Sequence, residues 1–211
     1  MKKSISLFAV VILFTAVSFA QGFKVKAGGE QTFNFEDKNG RNQASFESSA
    51  ILESIKGLSN DVKGSVTFKV SDLKTLKGKI FLPVTSIKTG NNSRDEHLQS
   101  AGWLDAVKYP EISFEIKKVN NIKSENDNQL KASVTGIYTM HGVSKDVVSD
   151  VTLTYLDENE ITKTRAPGDL LGVKATLTIK LTDYGIKSAI IGQKIAENIS
   201  IGVDIVGTNA K

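Results

Sequence analysis

This sequence predicts an all-β fold of about eight antiparallel strands, interrupted once by a short helical elbow. Three observations carry that prediction. Apolar residues alternate with polar ones through most of the chain, most cleanly at Val173, Ala175, Leu177, Ile179 and Leu181. The intervening positions are wet, as at Lys174, Thr176, Thr178 and Lys180, and one wet face against one apolar face marks antiparallel sheet. Turn chemistry recurs at short intervals, and only Ile87–Phe114 breaks the pattern with a dense polar cluster, the single tryptophan and a fresh strand. Eight strands of this kind suit a filled barrel, a sandwich or a barrel holding a ligand, and pattern alone does not choose.

Taken in order, the chain begins with Lys2 and Lys3, an apolar run from Ile5 to Phe19, and small residues Ser18 and Ala20. That is the three-part pattern of a signal peptide, residues 1–20, cleaved near Ala20. About 15 apolar residues fall short of the roughly 20 that a spanning helix needs, so no stable membrane anchor is expected. Residues 21–211 then form one domain. With no cysteine anywhere, neither disulfides nor a lipid-modified thiol can hold it.

The expected strands follow. Phe23 and Val25 alternate, then Phe33 and Phe35; Gln43–Ser48 carries Phe46; Val66, Phe68 and Val70 share a face, and Ile80 and Leu82 succeed them. After the elbow come Ile112, Phe114 and Ile116, then Leu130, Ala132, Val134, Gly136 and Tyr138. Val147 or Val148 through Val151, Leu153 and Tyr155 make another, and Ile199, Ile201, Val203 and Ile205 the last. Asn120–Gln129 and Asp157–Asp169 read as polar loops.

In the elbow, Thr89-Gly90-Asn91-Asn92 is turn chemistry, and Asn92 or Ser93 is placed to cap a helix with Asp95 and Glu96 in its first turn. Leu98 and Trp103 would hold the segment down on apolar surface, and Pro110 ends any helix. Once the two leader lysines are gone, the formal charge falls from +4 to +2, with lysines spaced singly. That pattern offers no nucleic-acid footprint.

The same residues carry a resemblance. Thr89-Gly90-Asn91, Arg94-Asp95, His97-Leu98, then Trp103-Leu104-Asp105 and Lys108-Tyr109-Pro110 resemble the signature of the YceI-like family of lipid-binding proteins. Gly57 through Gly64, Val66 and Phe68, the Gly136–Val147 hairpin with His141-Gly142-Val143, and Leu181–Ile186 are similar to further family segments, in order. The resemblance implies an eight-stranded lipocalin-like β-barrel holding a polyisoprenoid or similar long-chain amphiphile. Together with the signal-peptide pattern it points to an exported carrier or store, periplasmic or secreted, with an isoprenoid or acyl lipid as partner. No cofactor, no metal and no catalysis are expected, since no cysteine or nucleophile motif accompanies the two histidines, and monomer and homodimer both stay open. Candidate tunnel residues are then Phe68, Trp103, Phe114, Tyr138, Leu153, Leu177 and Ile201, with Arg94, Asp95 and His97 as head-group residues at the mouth. One departure stands out: the early His-Ser pair of many members is missing, because the histidines here are His97 and His141.

Read from the residues alone, the Arg94–His97 cluster admits three roles. Asp95 or Glu96 could orient His97 as a base, or one His and two acids could begin a metal site. In the structural role Asp95 caps the helix, Arg94 pairs with a carboxylate and His97 bonds a neighbouring strand. Trp103 is either a plug over the core or the lining of a tunnel mouth, and His141 suits a tight turn. Small inward residues (Ala132, Gly136, Ala175) either leave a tunnel or make room for aromatic neighbours. An enzyme acting on a lipid or quinone precursor would show a buried His97–carboxylate pair, and a filled barrel serving protein interaction or stress response would show no cavity.

Overall fold

The computed structural model describes residues 21–210; the signal-peptide expectation for residues 1–20 lies outside the described residues. Ten strands form there: β1 (Glu30–Asn34), β2 (Gln43–Ser49), β3 (Ser54–Ser59), β4 (Lys63–Lys69), β5 (Asp72–Pro83), β6 (Glu111–Asn126), β7 (Gln129–Met140), β8 (Val143–Leu156), β9 (Leu170–Lys180) and β10 (Asn198–Thr208). A short helix, α1 (Asn92–Gln99), lies between β5 and β6. Every pairing is antiparallel, and β1-β4-β5-β6-β7-β8-β9-β10 closes on itself because Asn34 of β1 meets Thr208 of β10. Closure leaves no free edge in that ring, which is how a barrel avoids edge-to-edge association. This is the eight-stranded antiparallel barrel.

Two of its staves are broken. Farther along β10, Gln43 pairs with Asp204 and Glu47 with Ser200, so β2 continues the line that β1 began. In the same way β3 continues β4, with Ser59 opposite Ala44 and Ser65 opposite Asn34. The break is held by Asn42, fully buried. Its amide donates to the carbonyls of Phe35 (2.7 Å) and Val206 (3.1 Å), and its Oδ1 accepts from the Val206 amide (2.8 Å) and the Arg165 guanidinium (3.0 Å). Gly64 (φ +123°) and Gly78 (φ +146°) let the paired strands β4 and β5 approach closely. A Cβ there would lie 2.1 Å from the Lys79 carbonyl oxygen and 2.2 Å from that of Ser65, so only glycine fits.

One end is stoppered. Residues 21–29 make no strand of their own, contrary to the alternation at Phe23 and Val25. Their amides are used differently: Phe23 donates to the Val70 carbonyl and Lys24 to that of Asp127, which ties the segment across two hairpin turns. Phe23 thereby drops into the barrel end against Phe68 and Tyr155, with Phe33 stacked on Phe68 at 5.8 Å. At the other end the chain leaves the sheet after Pro83, bridges Leu58 at Lys88, and lays α1 and the turns behind it over the opening.

Two further expectations change. Asn120–Gln129 is mostly strand, because irregularities in the β6–β7 register, with Asn121 at φ +53°, turn Val119 and Ile122 inward despite the polar residues around them. The helix cap is Asn91, not Asn92 or Ser93: its Oδ1 accepts the Arg94 amide at 3.1 Å.

Candidate functional site

Leu177, Ile201 and Val203 pack against the barrel's apolar clusters and line a hollow in its interior. The hollow has two chambers. The outer one, of about 180 Å³, lies beneath the elbow between Phe46, Leu98, Trp103, Met140, Ile190 and Ile195. The inner one, of about 130 Å³, is walled by Phe114, Val134, Leu153, Ala175, Leu177 and Val203. Ala44, Leu82, Ile112, Tyr138 and Ile201 border both and form a neck between them. Below the inner chamber the aromatic stopper closes the barrel.

Local sequence explains the shape. β7 alternates strictly, putting Leu130, Ala132, Val134, Gly136 and Tyr138 inside. Gly136 gives room to an aromatic neighbour: an added Cβ would lie 2.4 Å from the Phe114 ring. On β10 and β9 the inward residues are medium-sized, and no ring fills the axis beside Ala175. The small residues thus do both things the pattern allowed. Gly136 seats Phe114, and Ala175 borders open space.

Most polar groups in the walls are satisfied by the protein. The Ser48 hydroxyl accepts the Ala196 amide at 2.9 Å, Ser59 and Ser86 share a bond of 2.7 Å, and the Ser149 hydroxyl donates to the Thr176 carbonyl at 3.0 Å. Tyr138 is different. It is buried at the neck with its ring edge-on to Tyr184 at 5.7 Å, and the buried Tyr184 hydroxyl has no partner. Burial, and then the neighbouring phenol of Tyr184, push the Tyr138 hydroxyl well above the ordinary tyrosine range. Burial and Asp183 push Tyr184 up to about 12. Both are therefore protonated donors at ordinary pH.

Of the expected tunnel residues, Trp103 borders the outer chamber, Phe114, Leu153 and Leu177 the inner one, and Tyr138 and Ile201 both. Phe68 borders neither: it belongs to the stopper, between Phe23 and Phe33. The mouth cluster divides. Arg94 and His97 border the outer chamber, whereas Asp95 is buried and turned toward Thr89. The Thr89 hydroxyl holds the Asp95 carboxyl below its usual range, aided by the Thr89 amide, Lys88 and Arg94 and opposed by burial. Asp95 thus ties down the approach to the helix rather than capping it. Arg94 does pair with a carboxylate, Glu53 at 3.4 Å. His97 bonds no strand: it is exposed, with its ring edge-on to Trp103 at 6.0 Å. Asp95 faces Thr89 while His97 is exposed, so the two do not form a buried His97–carboxylate pair. His141 sits in the β7–β8 turn at φ +52°, with its Nδ1 3.0 Å from the Tyr184 carbonyl oxygen.

Sequence reasoning missed Ala44, Leu82 and Met140, and also Ile190 and Ile195 from the loop after β9. The loop residues had a readable signal, since Ile186, Ile190, Ile191 and Ile195 make that connection unusually apolar for a surface segment.

The family model for the YceI-like domain matches residues 31–207. A UPF0312 protein of Pseudomonas putida is 30% identical over 157 residues, covering 74% of this chain and 75% of the relative. Among solved structures, BcnA of Burkholderia cenocepacia aligns with a TM-score of 0.64 at 17% identity, over 82% of this chain and 100% of its own. A polyisoprenoid binding domain from Saccharophagus degradans, implicated in plant cell wall breakdown, aligns with a TM-score of 0.62 at 12% identity, over 85% and 99%.

Proposed function

The chain belongs to the YceI-like family, and on that premise we propose that it binds a long-chain lipid, a polyisoprenoid or an acyl chain, inside the two-chambered barrel. The observation that carries this reading is the pair of apolar chambers, one bordered by Trp103 at the mouth and the other by Leu153 and Leu177, which share Tyr138 and Ile201 in their walls. An apolar cavity of about 150 Å³ already takes a benzene-sized guest, and each chamber is near that size. A filled barrel would leave no such space. The polyisoprenoid binding domain of Saccharophagus degradans, which shares the fold, lends support to the ligand class.

Sequestration needs no reacting group. Each CH₂ taken from water contributes about 0.8 kcal/mol, so a dozen buried carbons contribute roughly 10 kcal/mol before immobilisation costs. Selectivity would rest on chamber length and width, with Arg94 and His97 meeting the head group at the mouth. Export through residues 1–20 and carriage of the lipid in the periplasm or the medium complete the proposal. Native mass spectrometry of the mature protein from its own host, followed by organic extraction, tests it. A stoichiometric long-chain lipid is expected. An empty protein that also rejects prenyl and acyl chains on titration would overturn the reading.

A further inference from the structure

The neck between the chambers carries the most informative polar group in the hollow. Tyr138 is 7% exposed, and its ring borders both chambers where the other neck residues, Ala44, Leu82, Ile112 and Ile201, are hydrocarbon. Beside it, ring edge-on at 5.7 Å, the Tyr184 hydroxyl is buried without a partner. A buried hydroxyl left unpaired costs about 1–3 kcal/mol, and buried polar groups normally find partners. The other buried tyrosine shows the usual solution: Tyr155 donates to Asp169 at 2.7 Å. Tyr138 has no such arrangement, yet it stands midway along the path a chain would take.

We propose that the Tyr138 hydroxyl is a hydrogen-bond donor for the ligand, selecting a long-chain lipid that carries an uncharged acceptor oxygen, such as a ketone, ester or amide carbonyl, at the depth of the neck. This rests on the lipid-binding reading and narrows the class it binds. A bare hydrocarbon at the neck leaves the phenol unpaired. An ionised carboxylate or phosphate there would lie among hydrocarbon side chains with no cation within the neck, at a desolvation cost that one phenol does not offset. An uncharged carbonyl satisfies the donor without bringing a charge inside. Charged head groups remain at the mouth, near Arg94 and His97.

The test is a positional series of seventeen-carbon ketones, with the carbonyl at successive carbons, against heptadecane. Each competes for the full-length mature protein with a fluorescent apolar probe. At least one ketone is expected to bind roughly three- to tenfold more tightly than heptadecane, the range of a single neutral hydrogen bond. Tyr138→Phe is expected to remove that preference, and the infrared carbonyl stretch of the bound ketone in the wild-type protein is expected to fall to lower frequency. Should Tyr138→Phe not fold, the wild-type series and the carbonyl stretch decide alone. Heptadecane and all ketones bound equally, with no shift in the stretch, would overturn the proposal and leave lipid binding standing. Binding of neither hydrocarbon nor ketone would overturn both.

Discussion

The Asp95 carboxylate accepts two hydrogen bonds from a single residue, Thr89, through the backbone amide at 2.8 Å and the hydroxyl at 2.7 Å. That pair clamps the turn before α1 onto the helix and so sets the elbow over the outer chamber. Replacing Asp95 by Ala leaves the half-buried Thr89 amide without its acceptor and its hydroxyl with only a long contact to the Asn91 carbonyl at 3.4 Å. A loss of about 1–2 kcal/mol is expected in urea unfolding. Asp95→Asn keeps one acceptor oxygen and should cost less. If Asp95→Ala lost ligand affinity with unfolding unchanged, the side chain would instead belong to the binding site.

Asp37 provides a pH signature. The Arg41 guanidinium, first of all, lowers its pKa to about 2 from an ordinary value near 3.8, and Arg165 adds to this at 3.1 Å. Because the folded value lies below the unfolded one, the stabilisation is present above about pH 4 and is lost as pH falls toward 2. Unfolding free energy should therefore drop through that window, and Asp37→Asn should flatten the slope there.

Asn42 is expected to be among the most sensitive positions. Its side chain makes four hydrogen bonds that no water can replace at full burial. Asn42→Ala should cost about 3 kcal/mol or more in equilibrium unfolding, because β10 loses a partner where β1 hands over to β2.

Gly136→Ala tests the seat of the inner chamber. The added methyl would meet the Phe114 ring and the Glu115 carbonyl oxygen, at 2.4 and 2.6 Å. Overpacking of this kind costs about 1–3 kcal/mol. The Phe114 ring should move into the inner chamber, so the variant should also bind shorter chains than the wild type, read by titration with a chain-length series.

Ala44 borders both chambers, so Ala44→Phe should block passage from mouth to inner chamber. Loss of only two buried CH₂ groups, at about 0.8 kcal/mol each, already lowers affinity more than tenfold. Long chains should therefore be affected strongly and short ones little. Equal loss for both would place the binding site elsewhere.

Much of the barrel was legible because inward and outward residues alternate with a period of two, and that period survives from β7 to β10 with little disturbance. Where the period misled, the backbone was recruited by something distant. Phe23 and Val25 alternate like a strand, yet their segment bonds to the Val70 and Asp127 carbonyls and becomes a stopper. The polar run after Asn120 reads as loop, yet a bulge keeps it in the sheet. The apolar positions Phe114, Leu153, Leu177 and Ile201 could be read as inward-facing, but alternation says only which side a residue faces.

What the sequence determined by itself was therefore the strands, their wet and dry faces, the elbow and the family, because each depends on neighbours a few residues away or on a motif of contiguous residues. Tertiary structure alone decided that Phe68 stoppers the end while Phe114 walls the hollow, and that Asn42 joins Val206 and Arg165. Those outcomes depend on how far along the barrel axis each strand is shifted when the ring closes. That shift is set by pairings between residues more than a hundred positions apart, such as Asn34 with Thr208.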